Sequence, residues 1–151
     1  MTQKTKNGFT LVELLVVMLV FGLLLSLAPA AFKRVLPGLE LKSGARELAA
    51  VFRDARNRAI RDNRATAVVI DVQEKIYQAE GRSFPLPQGF EIQLFTAESE
   101  RLSESSGRIR FFPDGTSTGG RVTLETDDTA YYIVADWLSG RVEIVDLPAP
   151  Q

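Results

Sequence analysis

A single carboxylate lies inside the most apolar part of this sequence. Glu13 falls in the stretch NGFTLVELLVV, and it is the only ionisable side chain between Lys6 and Lys33. A lone charge within a bilayer costs about 3 kcal/mol or more, depending on its depth. We therefore expect Glu13 to pair with a cationic group, and its chemistry is that of an ion pair in apolar surroundings.

The composition removes most catalytic chemistry. The 151 residues include no histidine and no cysteine, which excludes His-activated nucleophiles, disulfides and metal sites built from His or Cys. Two carboxylate groups remain as candidates for Ca²⁺ binding or acid–base catalysis. Neither has EF-hand spacing or a companion base, so we interpret them as a turn and a solvated loop and expect no enzyme activity, metal or cofactor. These groups are Asp127-Asp128 and the set Glu98, Glu100 and Glu104.

Two further motifs have a phosphate-binding interpretation. GTSTGGRV (residues 115–122) partly matches a P-loop, but Arg121 replaces the lysine, and a strand is predicted where a helix is needed. We interpret it as a loop. The run RDARNRAIRDNR (residues 53–64) is rich in arginine. The interleaved Asp54 and Asp62 favour a solvated helix face over a nucleic-acid site.

The segment that follows Glu13 is long and apolar. From Leu14 to Phe32 only Ser26 is polar, and as a helix these 19 residues span about 28 Å, close to the thickness of a bilayer core. The segment therefore predicts a membrane-spanning helix. The competing interpretation is a secretory signal peptide cleaved at the APA of residues 28–30.

A second helical pattern follows Pro37-Gly38, where we expect a break or bend in the helix. Apolar residues spaced by three and four form one stripe, and the arginines lie largely off it. This pattern predicts an amphipathic helix that ends near Asn63 and continues the apolar one. The stripe consists of Leu41, Ala45, Leu48, Phe52, Ala55 and Ala59.

The rest of the chain alternates with period two, and turn sequences separate the alternating runs. The pattern predicts an α+β fold, with the long N-terminal helix packed against an antiparallel β head of about seven strands in one or two sheets. The predicted strands are Thr66–Asp71, Lys75–Glu80, Phe90–Phe95, Arg108–Phe112, Arg121–Thr126, Tyr131–Asp136 and Arg141–Val145.

Three details of the β head follow from its sequence. Asp114-Gly115 should form the turn after the fourth predicted strand, and Phe111 or Phe112 should face the core because successive strand residues point to opposite sides. Trp137 should be at least partly buried. The polar residues 96–107 should form a mobile loop.

The charge is unevenly distributed along the chain. Residues 33–64 hold nine Lys and Arg against four Asp and Glu, a net charge of +5. Residues 65–151 hold seven against fourteen, a net charge of −7. An acidic head repels a polyanion, so we expect nucleic acid not to be a partner.

The stretch KNGFTLVELLVVMLVFGLLLSLAP closely resembles the N-terminal signature of type IV pilins and type II secretion pseudopilins. The resemblance implies that a prepilin peptidase cleaves after Gly8 and methylates the new amine of Phe9, so that Glu13 is the fifth residue of the mature chain. It also implies that Glu13 pairs with the Phe9 amine of a neighbouring subunit. Signal-peptide cleavage at Ala30 would instead discard Glu13 and the anchor.

IRFFPDGTSTGGRVTLE and YYIVADWLSGRVEIV resemble the GspH/FimT branch of this family, which contains minor pilins and pseudopilins. Within that branch we favour a minor pseudopilin of the type II secretion system, a structural subunit near the tip of a periplasmic pseudopilus that supports protein export across the outer membrane. The alternative is a type IV pilus minor pilin of the FimT/FimU type, which acts in pilus assembly or DNA uptake.

The resemblance also implies an organisation, a location and partners. Residues 1–8 are a leader, 9–32 the transmembrane half of the helix, 33–64 its amphipathic half, and 65–151 the β head. The chain would cross the bacterial inner membrane once, with its N-terminus cytoplasmic and its head periplasmic. The implied partners are other major and minor pseudopilins, the prepilin peptidase and the inner-membrane assembly platform, with an exported protein as a transient contact.

Overall fold

One long helix precedes eight β strands in the computed structural model. The structure describes residues 10–86, 88–127 and 129–148. It also describes their side chains, except those of residues 25–37 and 147–148. The chain forms two compact units, Met1–Leu36 and Pro37–Gln151. Helix α1 is Leu11–Arg61. The strands are β1 (Thr66–Asp71), β2 (Ile76–Ala79), β3 (Arg82–Pro85), β4 (Glu91–Thr96), β5 (Ser106–Phe111), β6 (Gly120–Glu125), β7 (Thr129–Ala135) and β8 (Val142–Pro148).

Local sequence determines both ends of α1. At its start, the backbone N–H of Glu13 donates to Thr10 Oγ1 at 3.2 Å, so Thr10 caps the helix. At its end, Asn63 adopts a left-handed φ of 46°, a conformation that asparagine tolerates. The N–H of Arg64 then bonds the carbonyl of Ala59 at 3.1 Å and closes the last turn. The predicted end near Asn63 is confirmed.

The predicted apolar stripe of α1 is confirmed as the centre of the core. All six of its residues are at most 4% exposed. Pro37 and Gly38 lie within the bounds of α1, so the helix is not interrupted there, and the predicted bend stays a prediction. The stripe residues are Leu41, Ala45, Leu48, Phe52, Ala55 and Ala59.

Two antiparallel sheets of four strands complete the second unit. Sheet A has the strand order β3-β2-β1-β5, and sheet B has the order β4-β6-β7-β8. The register places Val68 opposite Ile109 in sheet A and Val122 opposite Ile133 in sheet B. These aligned apolar side chains are fully buried in one cluster with the stripe of α1. Both sheets therefore share a single hydrophobic core.

The predicted strands are confirmed, with shifts of a few residues at their ends. Strand β3 (Arg82–Pro85) was not predicted, because its four residues carry no apolar alternation and end in proline. It pairs with β2 at the edge of sheet A. Phe111 faces the core as expected and its ring lies 6.2 Å from that of Phe52. The predicted turn at Asp114-Gly115 is closed by a bond from the Gly115 N–H to the Phe112 carbonyl at 2.9 Å.

Two expectations about the β head are wrong. The segment 96–107, predicted to be a mobile loop, contains a 3-10 helix at Glu98–Glu100, and Glu100 is only 6% exposed. Trp137, predicted to be at least partly buried, is 66% exposed. Strand β7 ends at Ala135, so Trp137 belongs to the following turn, where the alternation of a strand no longer directs its side chain.

Arginines of α1 fasten the turns of the β head to the helix. Arg56 donates from Nε to the carbonyl of Gly115 at 3.0 Å and from Nη2 to the carbonyl of Ser139 at 2.9 Å. Arg53 donates to the carbonyl of Val142 at 3.1 Å. Arg56 thus joins the β5–β6 turn to the β7–β8 turn, and Gly140 lies at their contact.

Gly140→Ala should destabilise the second unit strongly. Gly140 has a φ of 59°, and an added Cβ would overlap the Gly115 carbonyl oxygen and lie 2.9 Å from Arg56 Nε. Strain and overpacking together should lower the free energy of unfolding by about 3 kcal/mol. Urea denaturation of the fragment 39–151, which contains every residue of the core cluster, measures this change.

Gly81→Ala is the matched control, because Gly81 has a similar φ of 73° but no atom within 4 Å of an added Cβ. It should cost only about 1 kcal/mol, the price of the left-handed backbone alone. If the two variants lost the same free energy of unfolding, crowding at the Gly115–Gly140 contact would not explain the effect of Gly140→Ala.

Candidate assembly site

Glu13 lies in the first turn of α1, where the positive end of the helix dipole favours a carboxylate. The structure adds Thr10, which the sequence interpretation missed. The pattern Thr10-x-x-Glu13 is the sequence signature of a capping box, and it could have identified Thr10 from the sequence. The proposed cleavage residues Gly8 and Phe9 lie outside the described residues.

The surface around Glu13 is apolar on all sides. Twelve large apolar side chains between Leu11 and Leu24 are 49–79% exposed in the single chain. Exposed apolar area of this extent marks a surface that binds other molecules.

Among the described residues, no helix is both long enough and apolar enough to cross a membrane.

The arginine-rich run of α1 is largely engaged by the chain itself. Arg53 and Arg56 bond the backbone of the β head, as described above. Arg58 forms ion pairs with Asp54, at 2.8 Å, and with Glu80. The predicted solvated helix face is thus only partly correct, because Arg56 and Arg58 are half-buried. The contacts leave few free cations for a phosphate backbone.

The carboxylates predicted as loop and turn residues do not meet. Glu98 is exposed and pairs with Arg101 at 3.4 Å, and Glu104 is exposed as well. Asp127 is exposed in the β6–β7 turn, and Asp128 lies outside the described residues. Across the described part of the chain, no group of acidic residues is arranged to hold a metal ion.

Glu100 is instead the centre of a buried ion cluster. Its carboxylate accepts hydrogen bonds from Arg110, at 3.0 Å from Nε, and from Arg108. Burial alone would raise the pKa of Glu100, but the hydrogen bonds and charges of Arg110 and Arg108 outweigh it, so the pKa is lowered. The cluster ties the segment before β5 to the outer face of that strand.

The segment resembling a P-loop is a turn that leads into a strand, as predicted. Ser117 N–H donates to the Trp137 carbonyl at 3.0 Å, and Ser117 Oγ accepts from Gly119 N–H at 2.9 Å. Strand β6 follows directly, so no helix N-terminus is offered to a phosphate.

A groove between α1 and sheet A contains a tyrosine with a shifted pKa. Tyr77 Oη donates to Glu47 Oε1 at 3.3 Å, and the ring of Tyr77 stacks on that of Phe84 with 5.2 Å between centroids. Burial, and then the charge of Glu47, raise the pKa of Tyr77 to about 12. The hydroxyl therefore remains protonated at physiological pH and serves as a hydrogen-bond donor.

Comparison with known proteins supports the assignment suggested by the N-terminal motif. Residues 3–29 match the family model of the prokaryotic N-terminal methylation motif. Residues 44–139 match the family model of the type II transport protein GspH. The type II secretion system protein H of Xanthomonas campestris is 32% identical over 145 residues, which cover 95% of this chain and 86% of that protein.

Two solved structures share the fold. The minor pseudopilin EpsH from the type 2 secretion system of Vibrio cholerae matches with a TM-score of 0.55 and 15% identity, over 70% of this chain and 96% of that one. The type IV minor pilin FimU of Pseudomonas aeruginosa matches with a TM-score of 0.53 and 18% identity, over 72% and 90%.

A methylation motif at the start of a long helix, followed by an antiparallel β head built on that helix, defines a type IV pilin-like protein. The chain belongs to the GspH family, the minor pseudopilins of the type II secretion system.

The Glu100 cluster predicts how stability depends on pH. Because the folded-state pKa of Glu100 is lowered, its contribution is complete above the unfolded pKa of about 4.3 and is lost as the pH falls through the folded value. Glu100→Gln should lower the free energy of unfolding at pH 7 by about 1–3 kcal/mol. The variant should also lose stability less steeply than wild type below about pH 4.3.

Urea midpoints of the fragment 39–151 between pH 7 and pH 3 measure both effects. Glu98→Gln is the control, since Glu98 is 87% exposed and two residues away, and it should keep the wild-type profile. Parallel profiles for wild type and Glu100→Gln would show that the cluster does not contribute in this way.

Proposed function

We propose that this chain is a non-catalytic, membrane-anchored subunit whose apolar helix joins the core of a periplasmic pseudopilus. The observation that carries the proposal is Glu13, a carboxylate in the first turn of a helix whose apolar side chains are exposed all round. Such a surface is stable only when lipid or other apolar helices cover it. Among the described residues, those buried in the core lie between Leu41 and Val142.

The proposal extends to the organisation of the chain. Residues 1–8 serve as a leader, 9–32 as the membrane half of the helix, 33–64 as its amphipathic half and 65–151 as the β head. A prepilin peptidase removes the leader, and the assembly platform of the inner membrane receives the mature subunit. The head then lies on the periplasmic side, near the tip of a pseudopilus that supports export across the outer membrane.

Glu13 determines the axial register of the subunit in this proposal. Cleavage after Gly8 places the Phe9 amine four residues before Glu13, about 6 Å along a helix. Within the described residues Glu13 forms no ion pair, so its charge is free to meet the Phe9 amine of a neighbouring subunit. Since apolar helices slide past one another with little preference, one ion pair in apolar surroundings is enough to fix their offset.

A role in a type IV pilus is not favoured. The fold is shared with FimU, but at 18% identity this likeness concerns the fold alone. The family model over residues 44–139 and the relative at 32% identity both carry type II names. DNA capture is also disfavoured, because Arg53, Arg56 and Arg58 are engaged within the chain.

Gly8→Val should block processing, because a branched side chain crowds a peptidase site that accepts glycine. The unprocessed chain should remain in the inner membrane, and mass spectrometry of the purified protein should find residues 1–8 still attached. Gly22→Val is the control, since Gly22 has open space around it within α1, and its N-terminus should still be a methylated Phe9. A trimmed, methylated Phe9 in Gly8→Val would refute the cleavage assignment.

Glu13→Val and Glu13→Gln should both weaken assembly while leaving membrane insertion intact, since each removes a charge from an apolar segment. Recovery of the other pseudopilins with the tagged full chain, from membranes extracted in mild detergent, should fall about tenfold. Glu13→Asp keeps the charge and should retain most of the recovery. If Glu13→Gln recovers as much as wild type, the carboxylate does not set the register.

A further inference from the structure

The β head has an exposed apolar surface that no other described residue covers. We call it the Trp137 patch and define it by Phe95, Arg121, Trp137 and Leu138. Phe95, Trp137 and Leu138 are 68%, 66% and 64% exposed, and Phe95 and Trp137 are the two exposed aromatic side chains among the described residues of the second unit. Interface centres are enriched in aromatic residues and arginine, and most of their binding energy comes from a few such side chains.

Three consecutive residues at the start of β6 connect the parts of the patch. A Cβ placed on Gly119 would lie 3.0 Å from Trp137 Cβ, whereas one on Gly120 would lie 2.8 Å from the side chain of Ile109 in the core. The next residue, Arg121, pairs with Phe95 in the register of sheet B. Trp137 therefore lies beside Gly119, two residues before the Arg121 that pairs with Phe95, so the exposed side chains of the patch adjoin one short segment of backbone.

The turn that carries Trp137 is held rigidly. Asp136 Oδ1 accepts hydrogen bonds from the backbone and the hydroxyl of Ser139, both at 2.7 Å. Ser117 N–H bonds the Trp137 carbonyl at 3.0 Å, and Arg56 bonds the Ser139 carbonyl at 2.9 Å. A side chain presented on a fixed turn loses little conformational entropy on binding, which is the property expected of an interface anchor.

The charge of the patch specifies the chemistry of its partner. The Arg121 guanidinium lies 5.1 Å from the ring centroid of Tyr132 and 6.0 Å from that of Phe95. Among the described residues no carboxylate forms an ion pair with it, although residues 65–151 carry a net charge of −7. A cation stacked on aromatic rings and left without an acid is complementary to a carboxylate beside an apolar side chain.

We propose that the Trp137 patch docks the head of a different pseudopilin, which places an apolar side chain against Trp137 and Phe95 and a carboxylate against Arg121. This inference rests on the proposed function, which makes pseudopilin heads the neighbours of this one. A twofold pair of this chain through the patch would put two Arg121 guanidinium groups into one interface without an acid between them. The charge therefore favours a different subunit over a second copy.

Photocrosslinking in the full chain tests which molecule covers the patch. A benzoylphenylalanine at position 137 is compared with one at Glu74, which is exposed in the β1–β2 turn, in cells that produce all pseudopilins of the same system. We expect an adduct between position 137 and another pseudopilin, and none from position 74. An adduct with a second copy or with an exported protein, or no adduct at all, overturns the proposal.

Charge and shape variants of the full chain test the chemistry. Arg121→Glu and Trp137→Ser should each lower recovery of the crosslinked pseudopilin about tenfold, whereas Arg121→Lys and Trp137→Phe should retain most of it. Arg64→Glu, an equal charge reversal at an exposed position after α1, should have no effect. Because these side chains are exposed, all the variants should keep the thermal unfolding midpoint of wild type, which confirms that they fold.

If the wild-type chain recovers pseudopilins and the variants Arg121→Glu and Trp137→Ser recover as much, the docking proposal is overturned. The proposed function is then unaffected. If the wild-type chain recovers no pseudopilin at all, the proposed function itself is wrong, and the docking proposal with it.

Discussion

Both sheets of the β head bury the same stripe of α1, and the rest of the second unit depends on that shared contact. Six residues of one helix face pack against both sheet A and sheet B. The ring centroids of Phe52, on α1, and Phe111, on β5, are 6.2 Å apart. The hydrophobic effect rewards the removal of apolar area from water, so each sheet is stable here only with its apolar face on this stripe. The residues of this core that the structure describes all lie at or after Leu41.

The polar side of α1 makes hydrogen bonds to parts of the β head outside the apolar core. Backbone carbonyls need hydrogen-bond donors, and α1 supplies them to two turns through Arg56 and to the first residue of β8 through Arg53. Glu100 holds the segment before β5 in a different way, because its carboxylate accepts hydrogen bonds from the side chains of Arg108 and Arg110 on that strand. Most of the charges that look like a basic surface in the sequence are thus structural, while Arg121 lies on aromatic rings without an acid.

The N-terminal part of α1 has the opposite character. Its apolar side chains are exposed in the single chain, and Glu13 lies at the helix start, where Thr10 caps the helix and the helix dipole favours a carboxylate. Under the proposed function, lipid and neighbouring helices cover this exposed apolar surface. The Trp137 patch suggests that the head also has a surface reserved for a neighbour.

The sequence by itself determined the elements with strong local signals. Period-two runs located seven of the eight strands, three- and four-residue spacing identified the stripe of α1, and the stretch around Glu13 identified the family. It did not reveal β3, which is held by pairing with β2 rather than by its own four residues.

The burial of Glu100 and the exposure of Trp137 were likewise decided by tertiary structure. Arg108 and Arg110 reach Glu100 only once β5 is formed, and Trp137 is turned outward because β7 ends two residues before it. Such contacts join residues through the sheet register, which local sequence patterns do not encode.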